Sequence, residues 1–268
     1  MQPRYYSISS STRLYPNELH ITVSVVTYTT PAGIIRNGIC STFLKKTIPL
    51  QLEDDIKIKS SVTHNVSRVR IFISPNKHFR LPGQERLSST LSLEAMFYGV
   101  CSIPLQVTLL MFAVGSGIAP FRSFWQELIV LQRLNKRCKL NRILFMGCRT
   151  ATDFLFAQEL RSLCDEAQKD QRIFTKVIPV FSRTRTGPKR YVQHAMLDQD
   201  ELIHSILMDK MSFIYMCGST RSCQGIEASL AAILQSFSTG SDLITIEDAK
   251  QTITKMKENG KIRQDIFG

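Results

Sequence analysis

The 268 residues hold 43% hydrophobic and 21% charged side chains, a balance that excludes a disordered or fibrous chain. The length allows one large or two small domains, and two is the working number. A formal charge of +12 at pH 7 asks for a polyanionic partner, leaving nucleic acid, an acidic protein surface and phosphorylated cofactors open.

No secretory signal is expected from Met1 to Ser7, where an apolar central run is lacking. From Glu18 to Tyr28 the side chains alternate, with Ile21, Val23 and Val25 on one face and His20, Thr22 and Ser24 on the other, the period of a half-buried strand. A second strand is expected over Val69 to Ser74, and the first eighty or so residues read as a small β-barrel. The apolar stretch from Met96 to Phe121 is broken by Pro104, Gln106, Ser116 and Pro120, so no transmembrane helix is expected.

After Val107 the pattern becomes strand, helix, strand, helix. Apolar runs Leu109 to Val114, Arg142 to Cys148, Phe174 to Ser182 and Ser212 to Gly218 alternate with longer helical segments, which is the signature of a doubly wound parallel sheet. Phe121, Phe124, Trp125 and Leu128 form one buried stripe on the helix after the first of these strands. The last helix is expected to start at Thr245, where Thr-Ile-Glu-Asp has the form of a capping box, and to stop at Gly260. Seven cysteines (Cys40, Cys101, Cys138, Cys148, Cys164, Cys217 and Cys223) make no CxxC pair and no zinc-like cluster. Reduced thiols, no metal and a cytoplasmic setting are therefore expected.

Strings with chemical content sit at the ends of these elements. In Arg4-Tyr5-Tyr6-Ser7 the guanidinium fork can hold a pyrophosphate and the aromatics can cover a flavin ring, although an ordinary surface strand reads the same way. In Gly38-Ile39-Cys40-Ser41 a glycine precedes a helix start whose free N–H groups suit a phosphate. Gly115-Ser116-Gly117-Ile118-Ala119-Pro120 joins a strand to a helix, with Pro120 suited to a first helical turn. Gly147-Cys148-Arg149, Phe181-Ser182-Arg183 and Lys189-Arg190-Tyr191-Val192-Gln193 each follow a strand, where parallel sheets bind ligands; taken singly, each also reads as a solvated basic loop. Tyr215-Met216-Cys217-Gly218-Ser219 ends another strand, and its cysteine alone would read as packing.

Taken together, the Arg-x-Tyr-Ser string and the Gly-x-x-Ser turn resemble the FAD-binding half of the ferredoxin-NADP reductase superfamily. The run Gly115 to Glu127 resembles the NADPH-site motif of diflavin reductases, and Arg122-Ser123-Phe124-Trp125-Gln126 resembles nitric oxide synthases in particular, as does the final Gln264-Asp265-Ile266-Phe267-Gly268. The resemblance implies a truncated antiparallel FAD-binding β-barrel over residues 1–106, with an insertion foreign to the family at 83–106. A doubly wound NADP-binding domain follows over residues 107–268. It implies FAD contacts at Arg4, Tyr5, Tyr6, Ser7, Gly38, Ile39, Cys40, Ser41 and Phe267. NADP contacts would be Gly115, Ser116, Gly117, Pro120, Cys148, Arg149, Ser182, Arg183, Lys189, Tyr191, Gln193, Cys217 and Gly218. Ser7, Cys217 and Asp265 would assist hydride transfer from NADPH to the flavin, and Phe267 would cover the flavin until the nicotinamide displaces it.

Family members of full length carry FMN, and synthases carry haem, in domains expected to lie outside this chain. The implied partner is an acidic, flavodoxin-like FMN domain in cis or trans, and the full-length form would be a homodimer. Two features depart from the pattern: Ala113-Val114 replaces Gly-Pro before the Gly-x-Gly, and Ser219 replaces an aspartate after Cys-Gly. Both are expected to weaken nucleotide binding. A cytochrome P450 reductase is the second resemblance, disfavoured because that family ends in a tryptophan-containing sequence. A nucleotide-binding fragment without turnover is the alternative of another class, and a nucleic-acid binder lacks any recognition motif.

Overall fold

The computed structural model describes residues 3–47, 69–82, 107–134, 141–165, 172–184, 187–240 and 243–267. The insertion expected at 83–106 lies outside the described residues. The chain divides into two compact units, one of Met1–Tyr6 with Val23–Pro75 and one of Ser7–Thr22 with Asn76–Gly268. The division does not follow the boundary expected at 106, because Ser7–Thr22 and the segment from Asn76 pack with the larger unit.

The larger unit is built on five parallel strands: β3 (Thr108–Val114), β4 (Asn141–Cys148), β5 (Lys176–Phe181), β6 (Ser212–Ser219) and β7 (Ile262–Phe267), in the order β5-β4-β3-β6-β7. The four expected strands are thus present to within one residue of their expected ends, except that β5 begins at Lys176, two residues after Phe174. β3 reads as an unbroken apolar run because both its faces are covered. Leu109, Met111 and Ala113 enter one core with Phe121, Trp125, Leu144 and Tyr215, while Leu110 and Phe112 enter the other with Phe145, Ile214, Leu230 and Ile253.

The first core is closed by α2 (Ala119–Leu134), whose Phe121, Phe124, Trp125 and Leu128 are all buried as the stripe predicts, and by α3 (Ala157–Ser162), which adds the buried Leu160. The second is closed by α4 (Val192–Leu197), α5 (Asp200–Met208), α6 (Thr220–Ser236) and α7 (Ile246–Glu258). Thr245 caps α7: its hydroxyl accepts from Asp248 N at 3.1 Å while its own N–H donates to the Asp248 carboxylate at 2.9 Å. The helix ends where Gly260 takes φ +77°, a conformation costly for other residues. Among the described residues, no helix is long and apolar enough to cross a membrane.

In the smaller unit, β1 (Thr27–Thr29) and β2 (Ile35–Asn37) form an antiparallel hairpin, followed by α1 (Ile39–Lys46). The strand expected from Glu18 to Tyr28 is not continuous. Its first half belongs to the larger unit, where Ile21 makes an isolated bridge with Ile8, and only its end enters β1. Val69 to Ser74 forms no strand. Alternation supplies a face, but a strand also needs a neighbour for its backbone groups, and a two-stranded ribbon alone is marginal.

Candidate functional site

The sheet order creates a reversal. From β3 the chain winds outward through β4 to β5, then returns to lay β6 and β7 on the other side. At such a point the connections leaving the two central strands diverge and a crevice opens at their carboxyl ends. The short 3-10 turn Gly115–Ile118 leaves β3 here and leads into α2, with Pro120 in its first turn. A Cβ on Gly117 would stand 2.2 Å from the Cys217 carbonyl oxygen, so only glycine lets the turn pass the end of β6. Gly115, Ser116, Gly117, Cys217 and Gly218 are thereby gathered at one place.

The parallel edge strand β7 has no counterpart among the expected elements, because Ile262–Phe267 mixes polar and apolar residues with no clear period. Its pairing sets Asp265 opposite Cys217 in register. Ser7 donates to Asp265 Oδ2 at 2.6 Å, and the Cys217 thiol donates to the same oxygen at 3.9 Å. Residues 7, 217 and 265, far apart in sequence, therefore meet on one carboxylate. Cys217 is 1% exposed, and burial first, then the neighbouring Asp265 and Cys223, pushes its thiol far above the usual cysteine range. It stays protonated and acts as a donor and a packing surface rather than as a nucleophile. Phe267, at the end of β7, is 41% exposed.

Ser219 takes the N-cap position of α6. Its hydroxyl accepts from Ser222 N at 3.4 Å and lies 2.9 Å from the Ser222 hydroxyl, so the helix start is satisfied without a carboxylate.

At the ends of β4 and β5 the two loops run together: Ser182 N donates to Cys148 O at 2.9 Å and Arg183 N to Arg149 O at 2.7 Å. Cys148 is buried, which pushes its thiol up to about 11 with help from Asp153. Arg149, Arg183 and Lys189 are exposed and have no carboxylate partner among the described residues. Arg190, by contrast, pairs with Asp198. Tyr191 is exposed and rests on His194, while the Gln193 amide lies over Gly225 of α6. A cavity of about 670 Å³ runs beside β5, lined by Lys176, Val180, Thr184, Lys189, His194 and Gln199 among others. Of the expected NADP contacts, only Lys189 lines it. Three cations with no carboxylate partner among the described residues, at the carboxyl edge of a parallel sheet, fit a phosphorylated ligand.

In the smaller unit, the expected FAD strings are adjacent. The Tyr6 side chain hydrogen-bonds that of Cys40, and burial together with this bond raises the Tyr6 phenol to about 12. Tyr5 meets Phe72 edge-on at 5.6 Å. The Ser41 hydroxyl accepts from Val26 N at 3.1 Å and donates to Gly38 O at 3.3 Å, holding the turn at the start of α1. Arg4 and Ile39 are exposed. An exposed arginine near Tyr6, whose side chain reaches Cys40 in the first turn of α1, fits a diphosphate.

One residue near the site carries no signal in sequence. Asn76 donates through Nδ2 to Asp265 Oδ1 at 3.4 Å, the carboxylate oxygen that Ser7 leaves.

A doubly wound sheet with a glycine turn at its reversal is the architecture of a dinucleotide-binding domain. Comparison with known families agrees: the oxidoreductase NAD-binding domain matches residues 111–227 and the FAD binding domain matches residues 1–43. The FAD binding match thus precedes the NAD-binding match along one chain. Over its whole length it is similar to the nitric oxide synthase-like protein of Bombyx mori (30% identity, 21% of that protein) and to nitric oxide synthase of Anopheles stephensi (31%, 18%). NADPH–cytochrome P450 reductase of Drosophila melanogaster is likewise similar over the whole chain (30% identity, 33% of that protein). The chain spans a third or less of the length of these relatives.

Proposed function

We propose that the chain is a reductase module that binds FAD and NADPH and transfers hydride from NADPH to FAD, as its relatives' reductase regions suggest. The observation that carries this reading is the meeting of Ser7, Cys217 and Asp265 on one carboxylate at the sheet's reversal point. The two cofactors supply the hydride chemistry itself. The chain positions them and shapes the field.

Asp265 sets negative charge where positive charge develops as hydride leaves a nicotinamide ring. Ser7 holds that carboxylate by donating to it, and the buried Cys217 thiol packs the ring's place and keeps water out. Arg149, Ser182, Arg183, Lys189, Tyr191 and Gln193 are assigned to the 2′-phosphate end, with Gly115, Ser116, Gly117, Pro120, Cys148 and Gly218 along the pyrophosphate crevice. Arg4, Tyr5, Tyr6 and Gly38 to Ser41 are assigned to FAD, with Phe267 as the aromatic over its ring. The FAD side is assigned to residues 1–106, as part of a β-barrel, and the NADP side to residues 107–268. The onward acceptor is an acidic FMN domain, to which the net charge of +12 is complementary, and a haem beyond it in a dimeric full-length protein.

Purified chain incubated with FAD should show a flavin absorption spectrum and reduce ferricyanide with NADPH. Failure to retain flavin or to bind NADP would sink this reading. A second reading, nucleotide binding without turnover, is favoured by the exposed, non-strand Val69 to Ser74 in the smaller unit. Colourless protein that still binds NADP would select it.

A further inference from the structure

We propose that Asn76 is a positioning residue that holds the Asp265 carboxylate in the orientation the nicotinamide end of the site requires; the proposal rests on the NADPH reading above. Asn76 lies in the larger unit, four residues before Arg80, whose carbonyl is held by side chains of β6 and β7. Its Oδ1 accepts from His78 N at 3.2 Å and from Phe79 N at 3.0 Å, so the amide cannot turn over without losing both bonds. The NH2 group is thereby the part that faces Asp265, and it donates to Oδ1 at 3.4 Å. Oδ2 remains for Ser7 and Cys217.

The turn that carries Asn76 is itself anchored to the same two strands. Arg80 Nε donates to Asn76 O at 3.0 Å, and Arg80 O accepts from Tyr215 Oη and from Arg263 Nη1, each at 2.7 Å. Tyr215 and Arg263 are a register pair of β6 and β7, and Cys217 and Asp265 are the pair two residues further along, on the same face. Phe79 fixes the turn from below, buried against Phe121, Phe124 and Tyr215. One rigid segment thus spans both rows and delivers a donor to the carboxylate, which a loop with no such anchor would not hold in place.

Two substitutions separate positioning from mere turn formation. Asn76→Asp keeps an oxygen acceptor for the His78 and Phe79 N–H groups but replaces the donor with a second carboxylate facing Asp265. Asn76→Ala removes both functions. The probes are NADPH, followed by its fluorescence, and 2′,5′-ADP, which lacks the nicotinamide and reports that the fold and the phosphate end are intact.

Both variants should bind 2′,5′-ADP as the parent chain does. Asn76→Ala should bind NADPH roughly fivefold more weakly, the scale of one lost hydrogen bond, and Asn76→Asp at least as weakly, because a like charge then faces Asp265 where a donor stood. Parent-like NADPH binding by Asn76→Asp would reduce Asn76 to a turn residue and overturn the proposal. A parent chain that binds neither nucleotide would overturn the underlying reading of the site instead, and the proposal with it.

Discussion

Leu110 and Phe112 in the larger unit are fully buried, whereas Val25 and Ile71 in the smaller unit stand 43% and 69% exposed. All four come from runs that read as strands. In the larger unit β3, β4, β5 and β6 are each followed by a helix, so the cover for an apolar face is encoded a few residues away. Antiparallel barrel strands are covered by other strands that can lie far off in sequence, and a run whose neighbours are not beside it keeps its pattern and loses its burial.

The comparison can be broken most sharply at Trp125, which is fully buried and whose Nε1 donates to Glu159 at 2.6 Å. Trp125→Ala should cost about 4 kcal/mol, read as a lowered midpoint in urea unfolding followed by circular dichroism. Next comes Gly117→Ala, whose methyl would meet the Cys217 carbonyl oxygen at 2.2 Å, contact with backbone rather than with a side chain that can swing away. A loss of about 2 kcal/mol is expected by the same assay, with weaker nucleotide binding as the crevice opens.

A smaller effect is expected from pH. Burial raises the Cys223 thiol from about 9 to about 11, as it does that of Cys148. The folded state therefore keeps protons that the unfolded chain gives up first. The stability linked to these thiols is complete below pH 9 and is lost as pH rises towards 11. Thermal unfolding should show that decline, and Cys223→Ala should make it shallower. An unchanged slope would show that the thiol does not report the buried core of the larger unit. The smallest effect should come from Ile71→Ser, within about 0.5 kcal/mol, because Ile71 is already exposed. A loss as large as that of Trp125→Ala would show that the smaller unit has a core in solution after all.

Much of the larger unit was legible in sequence because its signals are local. The apolar runs of β3, β4, β5 and β6, the stripe on α2 and the capping box at Thr245 each depend on neighbours within a few residues. The glycine turn was legible for the same reason. β7 was not, since its residues alternate poorly and its place is set by pairing with β6. Asp265 was singled out through family resemblance alone, and only the register of β7 against β6 explains physically why it reaches Cys217. Asn76 stayed hidden because its value lies in a turn anchored by Arg80, Tyr215 and Arg263, contacts that no periodicity announces.

The claim that the carboxyl edge of the sheet is an NADP site is tested most directly by calorimetric affinities for NADPH and NADH in the parent chain and in Arg183→Ala. A preference for NADPH of roughly tenfold or more is expected in the parent chain, from charge-assisted bonds to the 2′-phosphate, and most of it should vanish in the variant. Equal affinity for the two nucleotides in the parent chain, or a preference untouched by Arg183→Ala, would contradict the assignment of that edge.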